Sequence, residues 1–456
     1  MSLRSWIQLP HAYYLRGEIF ARKLARCEHE LLLECDGQQD LEETGLLRSL
    51  IARGLVCVLD SPAPHPIDDR FCANWHFPRL NWMITGKCNL NCLHCFNAAD
   101  NAKLQAEFSW EQCLSLLEQA ERCGVHAFTI TGGEPLMHPR FLDIVRSIYA
   151  RGMMVDELNT NGYFLTQELL DELDRIGCRP LMKISFDGVG HHDWLRDRVG
   201  AEKRALDAAR LCLSNDFPVM AQINIHRRNA AAILPTLEHL DGMGLPSARI
   251  IRTSESPRWL ENAGDACLGI EEYYETCLGI AAEYIAKPRR MSVSIWQFLD
   301  IFAESRTYRM RPVVGCAGED NADQPVCGAN RSLVAIAASG EVLPCNQMSG
   351  YFANKGISLG NVKSESLQQI LLDSPYLETV LTTVSRVREH DGSCRACEHW
   401  ELCLGGCRAL AMGLKGHELA ADPAKCAYFR GGWMRRTASA MDGFAVTSNA
   451  PASLYQ

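Results

Sequence analysis

The stretch GKCNLNCLHCF, residues 86–96, places cysteines at positions 88, 92 and 95. Three thiols in Cys-x3-Cys-x2-Cys spacing are one ligand short of a closed tetrahedral metal site. The run LNWMIT (80–85) leads into this loop and reads as a strand. FSWEQCLSLLEQAERCG follows with a Ser109/Gln112 capping box and apolar residues at 113, 116, 117 and 120, which is helical spacing. HAFTIT, VDELNTNG, LMKISFDG, VMAQINIH and ARIIR then read as strands. Helices between them are expected from Pro139 to about Arg151, over TQELLDELDRIG, over AEKRALDAARLCLSND and over 230–243. Six β/α units predict a parallel sheet with outer helices, an open or partial barrel whose ligands gather at the C-terminal ends of the strands. The polar motifs fall there: the cysteine triplet after the first strand, GGEP (132–135) after the second, NTNG (159–162) after the third, and Ser185 and Asp187 after the fourth.

A chain of 456 residues with 47% apolar content has material for two or three domains. A net charge of −9 argues against broad nucleic-acid binding. No stretch approaches the roughly 18 uninterrupted apolar residues of a membrane span. The first residues, MSLRSWIQLPHAYYLRGE, lack the apolar core of a signal peptide, so a cytoplasmic protein is expected. In a reducing compartment the 21 cysteines are better read as metal ligands than as disulfides. Ten of them, Cys113, Cys178 and Cys277 among them, fall singly in amphipathic segments and read as small buried hydrophobes.

Three clustered thiolates suit an iron–sulfur cube with one iron left open. The competing structural reading, a zinc knuckle, would draw its fourth ligand from His94, whose side chain diverges from that of its committed neighbour Cys95. CNLNCLHCF followed by TGGEPL resembles the radical S-adenosylmethionine (SAM) superfamily. The resemblance implies that SAM chelates the open iron through its amino and carboxylate groups. An electron from the cluster then cleaves the sulfonium, and the 5′-deoxyadenosyl radical removes a hydrogen atom from the substrate. It also implies residue roles. Cys88, Cys92 and Cys95 would ligate the catalytic cluster, and Gly132, Gly133 and Glu134 would meet the SAM amino group. Ser185 and Asp187 would contact ribose or carboxylate, and Arg196 would bind the SAM carboxylate through its planar fork. Asp197 stands where relatives usually have glycine, which makes Arg198 a competing candidate. Asn161 is either a SAM contact or simply the first residue of an Asn-Gly turn.

A second cysteine pattern lies late in the chain. Cys327 is followed by Gly340 and GEVLPC, then by Cys394-x2-Cys397-x5-Cys403-x3-Cys407, then by Cys426. It resembles the SPASM extension of radical SAM enzymes, which implies two auxiliary [4Fe–4S] clusters, and so three clusters in all. Cys316, Cys327, Cys345 and Cys407 would hold the first auxiliary cluster; Cys394, Cys397, Cys403 and Cys426 would hold the second. A pair of zinc ribbons is the alternative.

Residues 1–76 carry none of these ligands. A short β-hairpin region over AYYLRGEIFARKLARC and two helices, over EHELLLECDG and LEETGLLRSLIARGLV, suggest a winged-helix-like module and linker. The remaining boundaries expected are 77–310 for the partial barrel, 311–435 for the SPASM region and 436–456 for a tail. The whole is thus expected to be a partial (β/α)6 TIM-like barrel between this module and an iron–sulfur domain. The module looks like the leader-binding elements of enzymes that modify ribosomally made peptides. The leading function is therefore oxidative modification of a precursor peptide, by thioether or C–C crosslink formation, with a flavodoxin- or ferredoxin-type reductant. Two alternatives stand beside it. A sulfatase-maturing enzyme would usually have an aspartate base where Asn346 follows Cys345. A small-molecule oxidoreductase would leave the N-terminal module without a role.

Overall fold

Alternating strand and helix produce one twelve-stranded sheet in the computed structural model. The structure describes residues 12–13, 22–23, 25–64, 74, 75, 77–95, 106–253, 256–312, 325–327 and 333–447. The chain begins with the antiparallel pair β1 (Ala12–Tyr13) and β2 (Arg22–Lys23), then α1 (Arg26–Glu34) and α2 (Gly45–Ala52). Leu47 and Leu50 of α2 are buried, and neither belongs to the main apolar core. Half of the Pro-rich linker expected over 59–78, namely 65–73 and 76, lies outside the described residues.

The central repeat runs β3 (Arg79–Thr85), α3 (Trp110–Arg122), β4 (Ala127–Gly132), α4 (Phe141–Ala150), β5 (Met154–Thr160), α5 (Gln167–Ile176) and β6 (Leu181–Ser185). It continues through α6 (His192–Arg196), α7 (Ala201–Ser214), β7 (Val219–Ile225), α8 (Ile233–Gly242), β8 (Ser247–Arg252), α9 (Pro257–Asn262), α10 (Ile270–Ile285) and β9 (Ser292–Ile295). The Ser109/Gln112 capping box is present at the start of α3, where it satisfies two backbone donors. Strands β3 to β9 pair in parallel and in chain order. Past β9 the sheet turns antiparallel through β10 (Leu299–Phe302) and β11 (Thr307–Met310).

The opposite edge comes from beyond residue 311. Strand β12 (Leu333–Ile336) pairs parallel with β3, and β13 (Val342–Leu343) pairs antiparallel with β12. The final strand β14 (Ala445–Val446) adds to β11, and the sheet is not closed. The partial barrel therefore runs past its six sequence-predicted strands into the C-terminal region. One apolar core joins Phe77 and Leu80 to Tyr376, Tyr428 and Trp433.

Side chains turned into the barrel include charges. Arg79 pairs with Asp156, and Lys183 with Glu157. The β4–β5 register shifts between Phe128 and Thr129, so Asp156 is passed over and packs beside Glu157, where it accepts from Thr129 Oγ1. Among the described residues no helix is long and apolar enough to cross a membrane.

Candidate active site at the strand ends

The cysteine loop leaves β3 and is latched by three neighbouring elements. The end of β4 holds its start: Gly133 N donates to Thr85 O at 2.8 Å, and Glu134 N donates to Lys87 O at 2.8 Å. A Cβ at Gly133 would lie 2.3 Å from Lys87 O, and one at Gly132 would lie 2.4 Å from Thr85 O. The close approach that requires glycine is thus made by the cysteine loop's own backbone.

The second latch is the turn after β5. Asn161 Nδ2 donates to Asn89 Oδ1 at 2.8 Å. Glu134 fixes that turn, accepting from Thr160 Oγ1 and Asn161 N, each at 2.8 Å, and from Leu136 N at 3.2 Å. Its carboxyl is fully buried, and burial pushes its pKa up to about 7 against the pull of these three bonds.

The third latch is α6. Leu93 N donates to Leu195 O at 2.9 Å, Asn91 Nδ2 to Asp197 Oδ2 at 2.9 Å, and Arg196 Nη1 to Cys92 Sγ at 3.7 Å. Asp197 takes a left-handed conformation, φ 51°, at the end of α6. Glycine adopts that turn without strain, and aspartate is one of the few other residues that tolerate it. The departure from the usual glycine therefore keeps the turn and adds a hydrogen bond to the cysteine loop.

The two arginines on this turn are used differently. Arg196 is buried and grips Asp187 with both arms of its fork, Nε to Oδ2 at 2.6 Å and Nη2 to Oδ1 at 3.1 Å. Burial alone would raise the Asp187 pKa; Arg196 and His192 outweigh it and hold the carboxyl well below its ordinary range. Asn224 N and Nδ2 also donate to Asp187 Oδ1, at 3.0 and 3.2 Å. Asp187 therefore orients Arg196. Arg198 is exposed, donates to Asn89 O at 3.1 Å and lies over the Tyr163 ring. Ser185 ends β6 opposite Gln222 of β7.

The thiols of the loop stand close enough to feel one another. Burial pushes Cys88 up to about 12, with the charges of Cys92, Glu134 and Cys95 adding to the rise. His94 is pushed down to about 3 by burial and then by Arg196, which keeps it neutral. Sequence reasoning missed Arg258, at the start of α9, which donates to Cys92 O and Asn91 O at 3.0 Å each. The one available signal was Ser-Pro-Arg just after β8, at the edge where every other motif lies.

The late cysteines form two groups. Burial, then the charges of Cys407 and Cys327, raises the Cys345 thiol. Cys394 is pushed up to about 12 by burial, then by Asp391, Cys426, Cys403 and Cys397, whose charges reach it. Cys316 lies outside the described residues. Asn346, next to Cys345, donates from Nδ2 to Asn81 Oδ1 on β3 at 2.8 Å.

Comparison with known proteins fits this geometry. Residues 82–240 match the model of the radical SAM superfamily, and residues 327–398 match SPASM, an iron–sulfur cluster-binding domain. The chain belongs to the radical SAM superfamily. With the second domain it is a SPASM-type radical SAM enzyme. An "AdoMet-dependent heme synthase" of Methanosarcina barkeri is 26% identical over 76% of this chain and 95% of its own length. A "PqqA peptide cyclase" of Gluconobacter oxydans is 26% identical over 75% of this chain and 88% of its own. Streptococcus suis SuiB, solved with its precursor peptide SuiA, superposes with TM-score 0.59 at 13% identity, covering 84% of this chain and 88% of that one. That likeness is one of fold.

Proposed function

We propose that this enzyme cleaves SAM and oxidatively modifies a ribosomally made precursor peptide, forming a thioether or C–C crosslink. The fit of the cofactor rests on the thiols: three on one latched loop, and seven late ones in two groups, each set near enough to shift its own members. Cys88, Cys92 and Cys95 would hold the catalytic [4Fe–4S] cluster. Cys327, Cys345 and Cys407 with Cys316, and separately Cys394, Cys397, Cys403 and Cys426, would hold two auxiliary ones. When bound, these groups would supply the electron that cleaves SAM and accept the electron released as the product forms.

The chain's own residues do the positioning. The glycines at 132 and 133 let β4 abut the cysteine loop, and Glu134 carries that alignment to Asn161. Asp187 takes up Nε and Nη2 of Arg196 and leaves Nη1 beside Cys92, from where it would reach the SAM carboxylate. Ser185, at the end of β6, would be a ribose contact.

The peptide reading is carried by residues 25–64, a small helical unit whose buried Leu47 and Leu50 lie outside the barrel core. A unit of this kind would capture a leader, and an added strand on an edge is one way to do so. Similarity to PqqA peptide cyclases supports the same substrate class. The heme-synthase relatives favour a second reading, a small-molecule radical oxidation. Asn346 pairs with Asn81 and cannot ionise, which weighs against a sulfatase-maturing role. A flavodoxin- or ferredoxin-type protein would be the reductant.

The test is anaerobic reconstitution followed by mass spectrometry of peptides encoded beside the gene. Three clusters predict about 12 iron atoms per chain. The peptide should lose two hydrogens with the intact chain and fail to react when residues 1–76 are deleted, while SAM cleavage without substrate persists. Equal modification by the truncated chain would refute the leader role, and oxidation of a tetrapyrrole alone would favour the second reading.

A further inference from the structure

A surface groove of about 750 Å³ opens where the helix Pro423–Arg430 gives way to the helix Trp433–Ala440. Gly431 and Gly432 make the bend, and Gly432 takes the left-handed conformation, φ 67°, that favours glycine. Leu278 of α10 also lines the groove. Its charged lining is of one sign: Arg430, Arg435 and Arg436, with no acidic residue. All three arginines are exposed. Arg436 is held in place, with Nη2 3.2 Å from Glu275 Oε1 and its guanidinium 3.7 Å over the Trp433 ring. Glu271, also on α10, accepts from Trp433 Nε1 at 2.7 Å. Arg430 and Arg435 make no ion pair among the described residues.

Arg430 ties this groove to the second group of late cysteines. It ends the helix that carries Cys426, four residues on, so the two side chains are neighbours on one helix face. Burial and then Cys403 push the Cys426 thiol up to about 11, and the charge of Arg430 pulls against that rise. Cys397, Cys403 and Cys426 are only half-buried, so the group reaches the protein surface. A chain of net charge −9 repels an acidic protein over most of its surface. An island of guanidinium groups is where such a protein would be drawn in and oriented.

We propose that this groove docks an acidic electron-carrier protein, which exchanges electrons with the Cys394/Cys397/Cys403/Cys426 site. The site, reduced as the product forms, loses one electron, and the redox centre of the carrier gains it. No bond of the enzyme is made or broken. Electron-transfer encounters are small and brief, so a patch of a few arginines is enough to guide one. The inference rests on the cluster reading above.

The probe is an oxidised acidic flavodoxin, mixed by stopped flow with reduced, reconstituted full-length protein. In the Cys88/Cys92/Cys95→Ala background only the late cysteine sites can give electrons. Growth of the flavin semiquinone reads the second-order rate. At low salt Arg430→Gln/Arg435→Gln should slow it about tenfold, the lower end of what electrostatic steering contributes. At about 1 M salt, where the screening length falls to about 3 Å, the two proteins should react alike. Arg430→Lys/Arg435→Lys keeps both charges and should keep most of the rate. Benzoquinone, small and uncharged, should oxidise parent and variant equally, with equal iron content. Equal flavodoxin rates at low salt, with full iron, would overturn the inference alone. So would an equal slowing with benzoquinone, which would make the arginines part of the upkeep of the site. Little or no iron in the background protein itself would overturn the auxiliary-cluster reading with it.

Discussion

Glu134→Gln separates what the Glu134 proton does for the fold from what its hydrogen bonds do. In the wild type both carboxyl oxygens accept from protein donors, and burial raises the folded pKa from 4.5 to about 7. The folded protein therefore binds this proton more tightly than the unfolded chain. The stability it contributes is present below 4.5 and is lost as pH rises through about 7. Taking those two pKa values, the loss between pH 5.5 and pH 8 is about 2 kcal/mol. Glutamine does not titrate, so this group adds no slope in the variant. Its amide oxygen replaces only one of the two accepting oxygens and its NH2 accepts nothing, so a buried donor is left unmatched at a cost of about 1–3 kcal/mol at every pH. The variant should therefore be the less stable protein at pH 5.5 and should draw level with the wild type, or pass it, at pH 8. Urea denaturation of the cluster-free chains, followed by tryptophan fluorescence at the two pH values, measures this directly. An equal gap at pH 5.5 and pH 8 would show that Glu134 keeps an ordinary pKa, and the argument from burial would be wrong.

Asp187→Asn should leave the buried Arg196 guanidinium without its charge partner and lower stability by about 3–5 kcal/mol, read as a shift in urea midpoint; an Asp187→Asn/Arg196→Met double variant should recover part of the loss. A variant as stable as the wild type would mean that the pair does not hold this turn. Gly133→Ala places a Cβ 2.3 Å from Lys87 O, so the cysteine loop must shift. We expect iron at the catalytic site to fall several-fold on reconstitution while iron at the late cysteines stays constant, as measured by iron analysis and spectroscopy.

The strands β3 to β8 and the placing of every motif at their C-terminal ends were readable because each element signals itself locally. A capping box opens α3, apolar residues repeat at helical spacing, and the apolar runs of β3 and β4 end at Gly86 and Gly132. What could not be read is non-local. SVSI and LVAI are four-residue strands at β9 and β12, and only their partners, β8 and β3, make them part of the sheet. Arg258 lies far along the chain from Cys92, and no local spacing links the two. Asp197 looks like a defect in the motif until its left-handed turn and its bond to Asn91 are seen together. The same limit bears on chemistry. A cysteine count yields how many thiols there are, but not which charges lie against them, such as Asp422 and Lys425. These two residues, three apart at one helix start, bond to Cys407 N and to Cys403 O respectively. Their sequence, Asp-Pro-Ala-Lys-Cys, reads only as a capped helix start. Its further role arises when Gly406 lets the Cys407 amide reach the cap, because only then does one carboxylate serve both as helix cap and as partner of that amide.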